Sequence, residues 1–269
     1  IISISGIRGI VGESFNPDII TKFAMAFGTY IKGKKRVIIG RDTRITGEMV
    51  KNGVISGLLA TGCEVTDIGI APTPTVQFLV RSLNFDGGII ISASHNPIQW
   101  NALKLYKKGG LLFEKSDNQK FMKIFKSEKF ALVPWNKYKK VLYKPELVEL
   151  HIKQVLKSLK NINKIKKKKF KIALDSCNAS GSFITQDLLK KLNCNVKGLY
   201  VAPDGYFPHN PEPNTRNLKD IIKFMQKGCY NIGFAQDSDA DRLAVLDENG
   251  NFLSEEYTVA LATYYVLLI

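Results

Sequence analysis

Cysteine and histidine are both scarce in this sequence, with four of one and three of the other in 269 residues. Cys63, Cys177, Cys194 and Cys229 contain no Cys-x-x-Cys spacing, and His95, His151 and His209 do not gather around them in sequence. That pattern argues against a zinc site and against a disulfide framework. No apolar run approaches the roughly 20 residues that cross a bilayer. The longest, Val259 to Ile269, is broken by Thr263, so no membrane helix is expected. No charged segment followed by an apolar stretch opens the chain, which excludes a secretion signal from the residues present and leads us to expect the cytoplasm. Negative charge is also short, 24 Asp and Glu against 39 Lys and Arg, for a net +15. Such a balance attracts an anionic partner, either nucleic acid or a phosphorylated metabolite.

Hydrophobic residues make up 45% of the chain, enough for substantial cores, and its length suits two ordinary domains and a piece of a third. The missing initiator Met and the uncapped apolar end at Val266–Ile269 read as a fragment of a longer chain. The densest lysine cluster, Lys164 with Lys166 to Lys169 and Lys171, holds a single aromatic, Phe170. It reads as a solvated linker instead of a nucleic-acid patch.

From Val37 to Ser92 short apolar strands alternate with helical patterns. Strands are expected at 37–40, 64–68 and 88–92, and helices at 46–61 and 73–83, with Asn16 and Pro17 opening an earlier helix to about Ile31. A second cycle starts with a helix at Pro145 whose apolar face is Val148, Ile152, Val155 and Leu159. It continues through strands and helices to a hairpin around Asn249-Gly250. Alternation of this kind predicts α/β domains, each with helices covering a sheet, and a boundary near Lys137–Lys144.

Two constellations carry chemistry. Ser92-Ala93-Ser94-His95-Asn96-Pro97 follows a buried strand and so falls where open α/β sheets bind ligands. Adjacent Ser94 and His95 do not make a hydrolase triad, because no carboxylate is placed to orient the imidazole and the Gly-x-Ser-x-Gly elbow is missing. Asp237-Ser238-Asp239-Ala240-Asp241-Arg242 places three carboxylates at alternate positions after a strand. Carboxylates so crowded repel one another unless a cation or water lies among them, and a divalent metal is the economical answer. An EF-hand loop is excluded, since Arg242 stands where Gly must turn the chain and strands flank the loop.

Five ordered segments, Ser5-Gly6-Ile7-Arg8-Gly9, Gly40-Arg41-Asp42-Thr43-Arg44, Ala93 to Pro97, Asn101-Ala102-Leu103-Lys104 and Asp237 to Arg242, resemble the motifs of the α-D-phosphohexomutases. That family includes phosphoglucomutases, phosphomannomutases and phosphoglucosamine mutases. The resemblance implies repeated mixed-sheet α/β domains: 1–143 with the phosphoserine loop, 144–251 with the metal loop, and 252–269 opening a third. It implies that Ser94 carries a phosphoryl group beside Mg²⁺ bound by Asp237, Asp239 and Asp241. Lys104 or Arg8 would handle a proton, with His95 and Arg242 close by and Arg242 on phosphate; Lys104 as a fixed cation is the alternative. The implied reaction interconverts hexose 6-phosphate and hexose 1-phosphate through a hexose 1,6-bisphosphate that also acts as activator. The substrate is then a sugar phosphate, with no nucleic-acid or membrane partner. Ser5, Ala102 and Ser238 depart from the commonest family residues without removing a reacting group, and Pro97 to Lys104 leans toward phosphoglucosamine mutase. Rival readings are a phosphomannomutase or phosphoglucomutase, a non-catalytic sugar-phosphate or nucleic-acid binding protein, and an aspartate-nucleophile phosphatase using Asp237.

Overall fold

A computed structural model describes residues 2–3 and 6–268; Ser5, first residue of the first motif, lies outside the described residues. The chain divides into two compact units. One is Ile1–Ala93 with Gln99–His151, and the other is Ser94–Ile98 with Ile152–Ile269.

In the first unit the elements run β1 (Ile2–Ser3), β2 (Gly6–Ile10), α1 (Pro17–Tyr30), β3 (Arg36–Arg41), α2 (Gly47–Ala60), β4 (Glu64–Ile70) and α3 (Thr73–Ser82). They continue with β5 (Gly87–Ile91), β6 (Trp100–Lys107), β7 (Leu111–Leu112), α4 (Lys115–Ser127) and β8 (Val141–Tyr143). The sheet order is β1-β2-β6-β5-β3-β4-β8, with β7 paired to β6. Pairs β5/β3, β3/β4 and β4/β8 are parallel, whereas β6 runs antiparallel to β5 and β2. Side chains alternate between faces along each strand. Ile39, Ile89 and Ile91 therefore pack with Phe23, Phe27 and Leu58 of α1 and α2, while Ile38 and Ile90 pack with Val76, Leu79 and Val80 of α3. Burial on both faces is why β5 is apolar without alternation.

Asn16 caps α1 by accepting from the Ile19 amide, and Pro17 occupies the first turn. Gly57 lets α2 approach α1: a Cβ there would lie 2.5 Å from the Thr21 carbonyl oxygen. Strands β2 and β6 and helix α4 carry no pattern that the sequence reading resolved. Around the expected boundary, Val141–Tyr143 is a strand that pairs with β4.

Helix α5 (Val148–Ser158) follows a 3₁₀ turn at Pro145–Leu147, and of its expected apolar face only Ile152 is fully buried while Leu159 falls past its end. The second unit then holds α6 (Ile162–Lys168), β9 (Lys171–Asp175), α7 (Gly181–Lys191), β10 (Asn195–Leu199), α8 (Lys219–Lys227) and β11 (Ile232–Gln236). It ends with β12 (Leu243–Leu246), β13 (Phe252–Leu253) and α9 (Glu255–Leu267). Its five-stranded sheet is ordered β10-β9-β11-β12-β13, parallel through the first three strands and antiparallel beyond. Both sheets are thus mixed, and the α/β class holds. The lysine cluster expected as a linker is largely helical, because Ile162–Lys168 forms α6. Gly250, with φ +79°, turns the β12/β13 hairpin as its Asn-Gly step requires. Helix α9 leaves Val259, Tyr264, Val266 and Leu267 exposed on several sides.

Candidate functional site

β11 delivers the chain into the Asp237–Arg242 loop and β12 carries it away, so the acidic residues stand at the carboxyl end of a parallel strand. Asp237 and Asp239 are fully buried and Asp241 is exposed. One carboxylate oxygen of each lies within 4.8 Å of the others. Burial, and then the charges of Asp239 and Asp241, push the Asp237 carboxyl well above the usual range. Hydrogen bonds donated by the Ser94 hydroxyl and the Arg242 amide, 2.6 and 3.2 Å from its oxygens, work in the opposite direction. An all-oxygen set in which proximity penalises ionisation is chemically matched to a hard divalent cation.

Ser94 belongs to the short segment that packs with the second unit. Its hydroxyl donates to Asp237 and lies 3.4 Å from the His95 Nδ1. Its carbonyl accepts a 2.7 Å bond from the Ser238 hydroxyl. Ser238 is held in turn by Ser180, whose amide and hydroxyl both donate to the Ser238 carbonyl. Two non-glycine residues of the site, Ser94 (φ +50°) and Ala240 (φ +51°), occupy the left-handed region. That conformation is unfavourable for L-residues and persists where the surroundings impose it. The Ser238 hydroxyl thus ties the acidic loop to the Ser94 backbone.

Arg242, at the end of the loop, stands 3.8 Å from Glu212. In the first unit, β2 and β6 pair with Arg8 opposite Ala102 and Gly6 opposite Lys104. Arg8 is exposed and Lys104 partly buried. The structure therefore brings Ser94, His95, Asp237, Asp239, Asp241 and Arg242 into one unit and sets Arg8 and Lys104 on adjacent strands of the other.

Two arrangements escaped the sequence reading. Asp42, Arg44 and Ser92 form a buried cluster in the first unit, with Arg44 Nε 2.9 Å and Ser92 Oγ 2.6 Å from Asp42 Oδ2. Their presence in and beside quoted motifs was the available signal. In the second unit the His209 Nε2 lies 3.0 Å from Asp175 Oδ2, and Cys177 Sγ lies 4.0 Å from the His209 Nδ1. A cysteine and a histidine thus do meet, although their separation of 32 residues gave no hint of it.

Comparison with known proteins agrees with this architecture. Family models for phosphoglucomutase/phosphomannomutase match residues 2–132 as alpha/beta/alpha domain I and residues 149–250 as alpha/beta/alpha domain II. A phosphoglucomutase/phosphomannomutase of Thermococcus kodakarensis is 41% identical over 267 residues, covering 97% of this chain and 58% of the relative. A probable phosphoglucosamine mutase of Pyrococcus abyssi is 38% identical over 263 residues, covering 98% of this chain and 57% of the relative. The crystal structure of a putative phosphomannomutase from Thermus thermophilus superposes with a TM-score of 0.81 at 25% identity, covering 93% of this chain and 57% of that one. The chain therefore spans under two thirds of the length of the relatives it matches.

Proposed function

The chain belongs to the phosphoglucomutase/phosphomannomutase family, and from that premise we propose that it supplies the phosphoryl-transfer machinery of a hexose-phosphate mutase. Ser94 is the group that carries the phosphoryl, and the observation that supports this is its hydroxyl 2.6 Å from Asp237, within a cluster of three carboxylates. Asp237, Asp239 and Asp241 would hold Mg²⁺. Bound there, the ion would offset the negative charge of the phosphoryl oxygens and of the departing serine oxygen.

The chain's own residues do the positioning on which phosphoryl transfer depends. Ser238 fixes the Ser94 backbone, and the left-handed turn at Ser94 aims its hydroxyl at the acidic loop. Arg242 binds substrate phosphate, His95 orients the serine oxygen, and Lys104 or Arg8 takes the proton of the attacking sugar hydroxyl. The substrate is a hexose phosphate, which passes through a 1,6-bisphosphate that reverses between two transfers and serves as activator. The names of the relatives favour phosphoglucosamine mutase, with phosphoglucomutase/phosphomannomutase as the alternative. Residues 1–143 and 144–251 form the first two domains and 252–269 opens a third.

Peptide mass mapping of the purified full-length protein tests this reading, with phosphate expected on Ser94. Phosphate found only elsewhere in a fully active sample would falsify it. Turnover of glucosamine, glucose and mannose 6-phosphates by the same sample then ranks the sugars, with glucosamine 6-phosphate expected fastest.

A further inference from the structure

In the first unit, β3 and β5 run into Asp42 and Ser92 at one end of the sheet, and the other end carries two cavities. The first, of about 550 Å³, is lined by Tyr30, Ile31, Lys32, Lys107, Lys108 and Lys120 among others, where β5 begins and β6 ends. A second, of about 480 Å³, is lined by Lys35, Gly62, Val133, Lys137, Tyr138 and Lys139 among others, ahead of β3, β4 and β8. The turn from Lys32 to Lys35 joins them.

Lys107 is neutralised by Glu114 and Asp117 at 2.9 and 2.6 Å. Asp86, which also lines the first cavity, accepts from the Arg36 amide. Lys32, Lys108, Lys120, Lys137 and Lys140 form no ion pair among the described residues, and all five are exposed. Residues 129–144, which supply much of the second cavity, contain five lysines and no acidic residue. That arm is pinned to the body: the Ala131 amide donates to Thr29 Oγ1, Val133 to the Ala60 carbonyl and Lys144 to the Asp67 carbonyl. Pinned in this way, it leaves Trp135 87%, Tyr138 54% and Tyr143 66% exposed. Large rings held out in water beside unpaired cations are a costly surface to maintain without a partner.

We propose that this end of the first unit binds a single-stranded nucleic acid, whose phosphates lie along the lysines and whose bases stack on Trp135 and Tyr138. The cavities lie at strand positions two to three apart, roughly 10–15 Å, so one small phosphorylated metabolite does not fill both while a chain of phosphates does. Interleaved rings and cations are what a sequence-tolerant single-strand surface needs. A second copy of this chain is disfavoured because it would oppose lysines to lysines. A bilayer is disfavoured because a flat surface does not enter two concave cavities. The surface is built by residues of the first unit, whereas the Lys164–Lys171 cluster and the acidic loop are built by residues of the second.

Fluorescence anisotropy of a labelled oligothymidylate, titrated with the intact chain over a salt series, tests the proposal. Binding should weaken with salt along a linear log–log slope. Lys32→Glu/Lys120→Glu and Lys137→Glu/Lys140→Glu should each weaken it at least ten-fold and make the slope shallower. Trp135→Ala/Tyr138→Ala should weaken it about five-fold or more with the slope retained, as stacking on rings implies. Every side chain changed is exposed, and unchanged thermal unfolding verifies the fold of each variant. Parent-like affinity in either charge variant, parent-like affinity in the ring variant, or tighter binding to phosphatidylserine vesicles than to the oligonucleotide would each overturn it.

Discussion

Asp42 and Asp237 occupy matching places in the two units. Each directly follows a parallel strand, each is fully buried, and each accepts a 2.6 Å bond from a serine hydroxyl, Ser92 in one case and Ser94 in the other. They differ in company. Asp42 is met by the equally buried Arg44, whose Nε lies 2.9 Å away and whose terminal nitrogen reaches the Trp100 carbonyl. Asp237 is met by two more carboxylates. A buried carboxylate with its own guanidinium is electrostatically complete, and its role is to hold the chain. A buried carboxylate surrounded by its own kind is incomplete until a cation arrives, and the same local geometry then becomes a binding site.

The widest separation between the two sites should come from the serines. Ser94→Ala removes the hydroxyl proposed to carry the phosphoryl group, so kcat of the full-length protein should fall by about 10³-fold or more, as loss of a nucleophile does. Ser92→Ala removes only a support of Asp42, and turnover should stay within about ten-fold of the parent once the sample is kept below its lowered unfolding temperature. Steady-state assays of both variants decide the matter, and comparable losses of kcat in the two would dissolve the distinction.

The aspartates themselves should respond next, in stability. Asp42→Asn leaves Arg44 as a buried, unneutralised cation, and such breakage costs about 3–5 kcal/mol. Asp237→Asn in metal-free protein removes one of three repelling charges as well as one good acceptor. Its unfolding free energy should therefore stay within about 1 kcal/mol of the parent, the scale of a single exposed or offset interaction. Mg²⁺ should raise the melting temperature of the parent and leave Asp237→Asn unmoved, because ligand binding to the native state alone is stabilising. Denaturant titration with and without the ion reads both. A loss of several kcal/mol in metal-free Asp237→Asn would mean that this aspartate too is structural.

Much of this was legible in the sequence because it is local. Strands β3, β4 and β5 are short apolar runs, and Asn16-Pro17 and Asn249-Gly250 are local punctuation, so helix, strand and hairpin came out at nearly their observed limits. The alternating acids of Asp237–Asp241 announced mutual repulsion without any fold. Partners distant in sequence were not legible. Trp100–Lys107 becomes a strand by pairing with Gly6–Ile10 and Gly87–Ile91, which supply what its own pattern of Asn, Lys and Tyr does not. The Lys164–Lys169 run reads as a solvated linker, yet Ile162–Lys168 forms a helix there. Ser94 meeting Asp237 across 143 residues rested on resemblance until the geometry joined them.

Asp175, the last residue of β9, is a third buried aspartate at a strand end, and it extends the comparison with an imidazole as the partner. The His209 Nε2 faces its carboxylate at 3.0 Å while Nδ1 faces the Asn210 carbonyl at 2.8 Å. Both partners are acceptors, so both ring nitrogens donate and the ring is cationic. Burial works to lower the His209 pKa, but the hydrogen bonds to Asp175 and Cys177 and the charge of Asp175 outweigh it and raise it from 6.5 to about 11. A value raised on folding means that the native state binds the proton more tightly than the unfolded chain. The stabilisation is therefore complete below about pH 6.5 and declines as pH rises toward about 11. The pair is largely buried, with the His209 side chain 11% and the Asp175 side chain 1% exposed, and a single proton sets the slope, at most about 1.4 kcal/mol per pH unit, so we expect a gradual alkaline loss of stability. His209→Gln, which keeps a donor toward Asp175 but cannot carry the charge, should flatten that slope. Urea unfolding at a series of pH values from 6 to 10 gives the comparison. Parallel slopes for parent and His209→Gln would place Asp175 with Asp237, as an acid whose charge is not met by its own unit.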